Sequence, residues 1–240
     1  MDTRDRIVAA AAALLAEGGR EAVSTRAVSA AANVQAPTIY RIFGDKQGLL
    51  DAVATHGFQA YLAEKTGQAA TDDPVEDLRT GWDTHVEFGL ANPALYSLIY
   101  GEPRPGATTP AAAAAAELLA VRIHRVAAAG RLRVSEDRAA RMVHAAGCGT
   151  TLTLIAEPPD RRDLTVSTLT REAVIAAITT DTPAAADPGA AGAAIALRAA
   201  LPSTSALTEH ERGLLAEWLD RIAGQVSSQT CPSRSATAAV

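Results

Sequence analysis

Apolar residues recur at helical spacing along most of this chain. Between residues 46 and 64 they return every three or four positions, the spacing of one helix face, at Leu49, Leu50, Val53, Phe58, Tyr61 and Leu62. Runs of β-branched residues in strict apolar–polar alternation, which are typical of strands, are nearly absent. The pattern therefore predicts an all-α protein.

Capping residues and helix breakers divide this pattern into helices. Gly18 and Gly19 would end a first helix that runs from about Asp5 to Glu17. Pairs such as Asp-Pro, Asn-Pro and Thr-Pro suit the start of a helix, and Thr208 with Glu211 forms a capping box. Together with Ser135 they predict helices at 46–64, 73–91, 92–100, 109–129, 135–156, 162–179 and 207–223. Residues 67–73, 101–106 and 182–194 would be connections, with room for a short helix at about 194–200.

Residues 24–46 carry the signals of a helix-turn-helix. Ser24 is a good N-cap for a helix of small residues, and small residues let a second helix approach closely. Asn33 stands where the chain must turn, and asparagine tolerates the left-handed conformation better than other non-glycine residues. Pro37 then suits the first turn of the next helix, where its missing N–H is no loss.

The second helix of this motif would bury Ile39, Ile42 and Phe43 on one face. Its outward residues are Gln35, Ala36, Thr38, Tyr40 and Arg41. They offer hydrogen-bond donors, a methyl group and a cation but no carboxylate, which suits base edges and phosphates. Lys46 follows at the start of the next helix, where backbone N–H groups also favour a phosphate. Taken singly, Tyr40 could be an ordinary surface aromatic and Lys46 a solvated charge, but the ordered run of signals is specific.

This segment resembles the DNA-binding domain of the TetR family of transcriptional regulators. The resemblance covers about the first quarter of the chain and is carried by Ile7, Ala10, Leu14, Gly18, Thr25, Arg26, Ala31, Val34, Thr38, Ile39, Tyr40, Phe43, Lys46 and Leu49. Asn33 departs from the family, which usually has glycine there. The resemblance implies that bases are approached by Arg26, Gln35, Ala36, Pro37 and Thr38, and that the DNA backbone is held by Thr25, Tyr40, Arg41 and Lys46. Arg26 would read a guanine, since a guanidinium can bond O6 and N7 together.

Charge and composition limit the other functions open to the chain. Its 240 residues have a net charge of −5, but residues 1–50 hold six basic and five acidic side chains, so the acidic excess lies elsewhere. No uncharged apolar stretch approaches the roughly 20 residues of a membrane span, and the N-terminus lacks a secretory core. Cys148 and Cys231 form neither a disulfide framework nor a metal site. We expect a cytoplasmic protein without cofactor.

The residues after the helix-turn-helix show no catalytic constellation or metal-binding spacing. Cys148 lies in a Gly-Cys-Gly setting, where we expect another backbone to pack closely, for example across a dimer interface; the alternative is a local kink. Large side chains on separate predicted helices could instead line a cavity in the bundle, or merely fill the core. These candidates are Trp82, His85, Phe88, Tyr96, Tyr100, His124, Met142 and His144. The resemblance implies that such a domain binds a small effector that releases DNA.

The predicted organisation is a three-helix DNA-binding domain at 1–46, a linking helix at 47–66, a helical ligand-binding and dimerisation domain at 67–226, and a flexible tail at 227–240. We expect a homodimeric repressor on a pseudo-palindromic double-stranded operator. The helix at 135–156 would pair with 162–179 or, preferably, with 207–223, whose apolar stripe includes Trp218. The alternative is a helical small-molecule-binding or scaffold protein that does not bind DNA.

Overall fold

The computed structural model describes residues 2–65, 71–101, 108–180 and 189–224. These residues form eleven α-helices, with short 3-10 turns at Pro159–Arg161 and Leu201–Ser203, and no strand. The helices are α1 Thr3–Ala22, α2 Thr25–Ala32, α3 Ala36–Phe43, α4 Lys46–Lys65, α5 Pro74–Ala91, α6 Pro93–Tyr100, α7 Pro110–Ala128, α8 Glu136–Ala156, α9 Thr165–Ile178, α10 Gly189–Ala200 and α11 Glu209–Gly224. The all-α prediction is confirmed. The predicted tail at 227–240, Cys231 and most of the predicted connections lie outside the described residues.

Side-chain caps hold most helix starts where the sequence predicts them. The Asp73 carboxylate accepts from the Val75 N–H at 2.9 Å. The Thr208 N–H donates to the Glu211 carboxylate at 2.8 Å, and the Glu211 N–H returns a bond to the Thr208 hydroxyl at 3.3 Å. Asn92 differs, because its side-chain amide donates backward to the carbonyl of Phe88 and does not cap α6. The caps at Asp73 and Thr208 satisfy backbone donors that have no partner inside the helix.

Three helix boundaries differ from the prediction. Gly18 and Gly19 leave helical geometry, as expected, but one further turn resumes after them and runs to Ala22. Helix α9 begins at Thr165, three residues later than predicted, because Asp163 accepts from the Thr165 N–H and caps it there. The loop predicted for 189–194 is wrong. Helix α10 already begins at Gly189, since the alanines that follow have high helix propensity.

The chain divides into two compact units. Unit 1 comprises residues 1–122 and 140–175, and unit 2 comprises 123–139 and the described part of 176–240. One apolar cluster in unit 1 runs from the first four helices into α5 and α6. Its members include Ile7, Val8, Val28, Ile39, Leu49, Leu50, Phe58, Phe88 and Tyr96. Shared side chains therefore join the helix-turn-helix to the helices that follow it.

Unit 2 is built around the packing of α10 on α11. Ala194, Leu201 and Leu219 form its small core, and Arg198 pairs with Asp220 at 3.2 Å. Helix α11 keeps an exposed apolar stripe at Leu214, Trp218 and Ile222, and Leu197 of α10 is also exposed. No described helix of either unit has the length and apolarity to cross a membrane.

Candidate nucleic-acid interface and internal cavity

Local bonds fix the turn between α2 and α3. The Ser24 hydroxyl accepts from the Ala27 N–H at 3.1 Å and caps α2. Asn33 ends that helix in the left-handed conformation, at φ 51° and ψ 54°, and the Val34 N–H then bonds back to the Ser29 carbonyl at 3.0 Å. Asparagine therefore supplies the turn for which the resembling family uses glycine.

The next boundary, between α3 and α4, is equally defined. Gly44 adopts a positive φ of 80°, and the Asp45 carboxylate accepts from the Gly48 N–H at 2.7 Å. Lys46 is thus the first residue of α4 and is exposed. The Arg20 guanidinium bonds Gln47 at 3.1 Å, and Gln47 in turn bonds Asp51 at 2.8 Å. This chain of bonds fastens the first turn of α4 to α1.

The predicted DNA-contacting residues lie on the outer side of this motif. The exposed ones are Arg26, Gln35, Pro37, Tyr40, Arg41 and Lys46, and the half-buried ones are Thr25, Ala36 and Thr38. The Tyr40 ring is 51% exposed. Its hydroxyl lies 3.4 Å from the Thr25 hydroxyl, so the start of α2 and the middle of α3 present one surface. None of these nine side chains carries a negative charge.

The inner face of α3 is narrower than predicted. Ile39 is fully buried, but Ile42 and Phe43 are only half-buried. The difference has a local cause, because Phe43 is the last residue of the helix and the guanidinium of Arg4 lies 5.7 Å from its ring centroid. The Arg4 cation packs on one face of the ring, and Phe43 stays partly exposed to solvent.

Unit 1 also contains a cavity of about 260 Å³. It is lined by one face of each of five helices, at helical spacing. These residues are Phe58, Tyr61 and Leu62 of α4; Leu78, Gly81, Trp82, Thr84, His85 and Phe88 of α5; Tyr100 of α6; Ala115, Leu118, Leu119 and Arg122 of α7; and Val143, His144 and Gly147 of α8. Two wall positions are fixed by bonds, since the Trp82 indole N–H donates to Ser167 at 3.0 Å and the Tyr61 hydroxyl donates to the Thr84 carbonyl at 3.1 Å.

The structure brings together five of the eight predicted cavity residues: Trp82, His85, Phe88, Tyr100 and His144. Tyr96 is fully buried outside the lining, and its hydroxyl lies 2.7 Å from Nε2 of His85. Met142 does not line the cavity because its neighbour Val143 occupies the inward position on α8. His124 belongs to unit 2, where its Nδ1 lies 3.2 Å from the Glu136 carboxylate.

Residues of α4 and α7 line the cavity without having been predicted to do so. The relevant signal was present, since Phe58, Tyr61 and Leu62 recur at helical spacing, as do Leu118 and Arg122. Periodicity alone cannot separate a helix face that fills a core from one that borders a cavity.

Four titratable groups in or near the cavity have pKa values shifted in favour of their neutral forms. Burial and, to a smaller extent, the nearby His144 together lower the pKa of His85 to about 4. Burial also raises the pKa values of Tyr96, Tyr100 and Cys148 above their ordinary ranges. Near neutral pH, His85 and Tyr100 of the cavity wall are therefore neutral, and Arg122 contributes a positive charge to a mostly apolar lining.

Within the described residues of one protomer the glycines around Cys148 are not closely packed, and close packing there across a dimer interface stays a prediction. A Cβ at Gly147 would make ordinary contacts, 3.5 Å or more from His85 and Trp82, and one at Gly149 would meet no described atom within 4 Å. Helices α5 and α8 approach each other closely at Gly89 of α5, where an added Cβ would lie 2.2 Å from the side chain of Thr151 in α8. The described residues include no group of three or more His, Cys, Asp or Glu side chains that could hold a metal ion.

Comparisons with known proteins agree with this geometry. Residues 7–53 match the model of the bacterial regulatory proteins of the tetR family. A putative tetR family transcription regulator from Shewanella sp. PV-4 has a similar fold, with a TM-score of 0.59 and 18% identity over 75% of this chain and 100% of that one. No curated protein sequence matches the chain.

Two further solved structures were determined with ligands of their own. A TetR variant from Acinetobacter baumannii AYE, in complex with minocycline, has a TM-score of 0.55 and 23% identity over 74% of this chain and 96% of that one. BioQ, with its natural double-stranded DNA operator, has a TM-score of 0.54 and 23% identity over 73% of this chain and 99% of that one. Residues 7–53 therefore match the N-terminal domain of the tetR family, and the described helices share the all-helical fold of the solved regulators.

Proposed function

We propose that this protein is a homodimeric transcriptional repressor in the cytoplasm, which binds a pseudo-palindromic DNA operator and is released by a small molecule. The observation that carries the proposal is the exposed, carboxylate-free surface of α2 and α3 with Lys46 beside it. The exposed side of α3 would enter a major groove, where Arg26, Gln35 and Thr38 approach bases. Tyr40, Arg41 and Lys46 would hold the flanking phosphates.

The weak basicity of this surface supports a need for two copies. Few phosphate contacts per protomer give low affinity for a single head, whereas two heads about 34–36 Å apart or slightly more would meet successive major grooves. The exposed apolar stripe of α11, which includes Trp218, supports a dimer formed through α8 and α11, with α9 as the alternative to α11. A stripe of this kind on a folded unit is typical of an interaction surface.

Helix α4 supports the coupling between ligand and DNA. Its first residue, Lys46, lies at the proposed DNA surface, and its second half contributes Phe58, Tyr61 and Leu62 to the cavity wall. At Gly57 a Cβ would lie only 2.5 Å from Leu95 of α6, so α4 and α6 are in close contact beside the cavity. A ligand that binds more tightly to a conformation in which α4, and with it the helix-turn-helix, takes a position unsuited to DNA would shift the population toward that conformation. The size of the shift is set by the ligand's difference in affinity for the two conformations.

The solved relatives support both halves of this proposal, since one is bound to its operator and another to minocycline. The test is a selection from random-sequence DNA duplexes with excess polyanion competitor. We expect enrichment of a site with two symmetric halves, and we expect an Arg41→Glu/Lys46→Glu variant to enrich nothing. If the unsubstituted chain enriches no sequence, the proposal fails, and a helical small-molecule-binding or scaffold protein becomes the better description.

A further inference from the structure

Arg122 is the cavity residue with the most distinctive chemistry. It projects from α7 and is half-buried. A Cβ at Gly81 would lie 2.9 Å from both Cδ and Nε of Arg122, so the bare glycine backbone of α5 makes room for the guanidinium. The contact places the guanidinium against Gly81, and Trp82 and His85 of the same helix also line the cavity.

This guanidinium has no hydrogen-bond or ion-pair partner among the residues that the structure describes. Two other half-buried arginines of unit 1 differ in this respect. Arg79 bonds Glu172 at 2.9 Å and Glu76 at 3.1 Å, and Arg171 pairs with Asp83 and Glu172. A half-buried guanidinium gains most from a planar anion that accepts two of its N–H groups.

The rest of the wall limits what that anion can be attached to. No Asp or Glu is present among the lining residues of the described chain, and seven lining side chains carry aromatic or imidazole rings. Flat rings on several sides favour a flat aromatic body. The volume of about 260 Å³ exceeds the roughly 150 Å³ cavity that holds one benzene, so a body of one or two rings fits.

We propose that the cavity binds an aromatic carboxylate of one or two rings, with Arg122 as its counter-ion. The ligand's carboxylate accepts from the guanidinium, and its rings lie among Trp82, Phe88 and Tyr100. An organic cation would bind less tightly, because Arg122 repels it and no lining carboxylate attracts it. A neutral amide would also bind less tightly, because its hydrogen bonds to the guanidinium lack the second charge. The consequence for DNA release rests on the proposed function, whereas the binding step does not require DNA.

Calorimetric titration of the full chain with a set of matched probes tests this ligand class. The probes are 2-naphthoate, its neutral amide 2-naphthamide, the cation 2-naphthylmethylammonium, and decanoate as a non-aromatic carboxylate. We expect 2-naphthoate to bind at least about tenfold more tightly than each of the other three, because a hydrogen bond to a charged group is stronger than a neutral one. No binding of 2-naphthoate, or equal binding of any of the other probes, overturns the proposal.

Two variants locate the charge. Arg122→Met should lower 2-naphthoate affinity to about that of the amide while leaving the amide unchanged, and Arg122→Lys should retain part of the preference. The matched control is Arg161→Met, which removes an exposed arginine that does not line the cavity and should alter neither affinity. An unchanged preference in Arg122→Met overturns the assignment of Arg122. If that variant does not fold, the comparison of probes on the unsubstituted chain and on Arg122→Lys decides.

A separate gel shift distinguishes this inference from the proposed function. Tight, Arg122-dependent binding of 2-naphthoate supports the ligand class even if the chain binds no DNA, in which case the repressor proposal alone fails. Conversely, operator binding together with equal affinity for the amide supports the repressor and overturns the ligand class.

Discussion

Replacing Lys46 with alanine tests whether the start of α4 contacts a phosphate. Lys46 is exposed and is the first residue of α4, directly after the capping Asp45. Its loss leaves the cap and the buried face of α4 intact, so the fold should be unaffected. What the variant loses is one cation at a helix N-terminus, where backbone N–H groups already favour an anion.

The size of the effect follows from counterion release. Each neutralised phosphate contributes about 0.9 to the slope of log K against log salt. A dimer carries two copies of Lys46, so the slope should become shallower by about 1.8. Between about 50 and 200 mM salt, the variant should therefore lose roughly tenfold less affinity than the unsubstituted chain does over the same range. Fluorescence anisotropy with a labelled operator, repeated at several salt concentrations, measures both slopes.

The control is Arg161→Ala, which removes one positive charge from an exposed position outside the helix-turn-helix. It should leave the salt slope unchanged. Lys46→Ala should also weaken binding to unrelated duplexes and to the operator by similar factors, since a phosphate contact reads no sequence. A loss confined to one sequence, or a slope equal to that of the unsubstituted chain, would refute the phosphate contact.

Three further predictions concern other parts of the chain. Arg26→Ala should cost about 1–3 kcal/mol of operator binding and relax specificity at one base pair; an unchanged site preference in a binding selection would contradict guanine reading. Trp218→Asp places a carboxylate in the exposed stripe and should shift the protein toward monomer in sedimentation velocity; an intact dimer would redirect attention to the helix Thr165–Ile178. Burial holds the pKa of His85 at about 4, below its ordinary 6.5, so the unfolded chain binds more protons between these values and the free energy of unfolding falls as the pH drops. From pH 7 to pH 5, the free energy of unfolding measured in urea titrations should fall by about 1–2 kcal/mol more in the unsubstituted chain than in a His85→Gln variant. Identical decreases would contradict a buried, neutral His85.

The turn of the helix-turn-helix could be predicted because its signals are local. A hydroxyl three residues before a backbone N–H, an asparagine at the turn and a proline in the first helical turn each act within a few residues. Ser24, Asn33 and Pro37 accordingly take the predicted positions. The resemblance to a known family then added a function that local geometry alone would not have specified.

The cavity was only partly predictable because it depends on how five helices pack. Large aromatic residues such as Trp82 and Phe88 indicate it, whereas the helical spacing of Leu118 and Arg122 in α7 does not show whether that face fills a core or borders a cavity. His124 was chosen on that helix, whereas Arg122 lines the cavity. Residues two positions apart in sequence are separated by about 200° around a helix. A prediction that is wrong by two positions therefore selects the opposite face.

Helix ends were the other source of error, and their causes are local. A glycine pair was expected to end α1, yet the chain resumes a helical turn after Gly19 because that residue adopts a positive φ of 64° and redirects the backbone. Gly189, with a φ of 63°, stands at the start of α10 in a stretch that composition had indicated as loop. Glycine permits both the end and the start of a helix, so its position alone does not distinguish them.

The central claim is that the outer surface of α3 contacts DNA. Oxidative labelling of Tyr40, followed by mass spectrometry with and without a saturating operator duplex, measures this most directly, because the ring is half exposed in the protein alone. Contact with DNA predicts that labelling of Tyr40 falls several-fold in the complex while labelling of the exposed Leu169 in α9 stays the same. Equal labelling of Tyr40 in free and DNA-bound protein would contradict the claim.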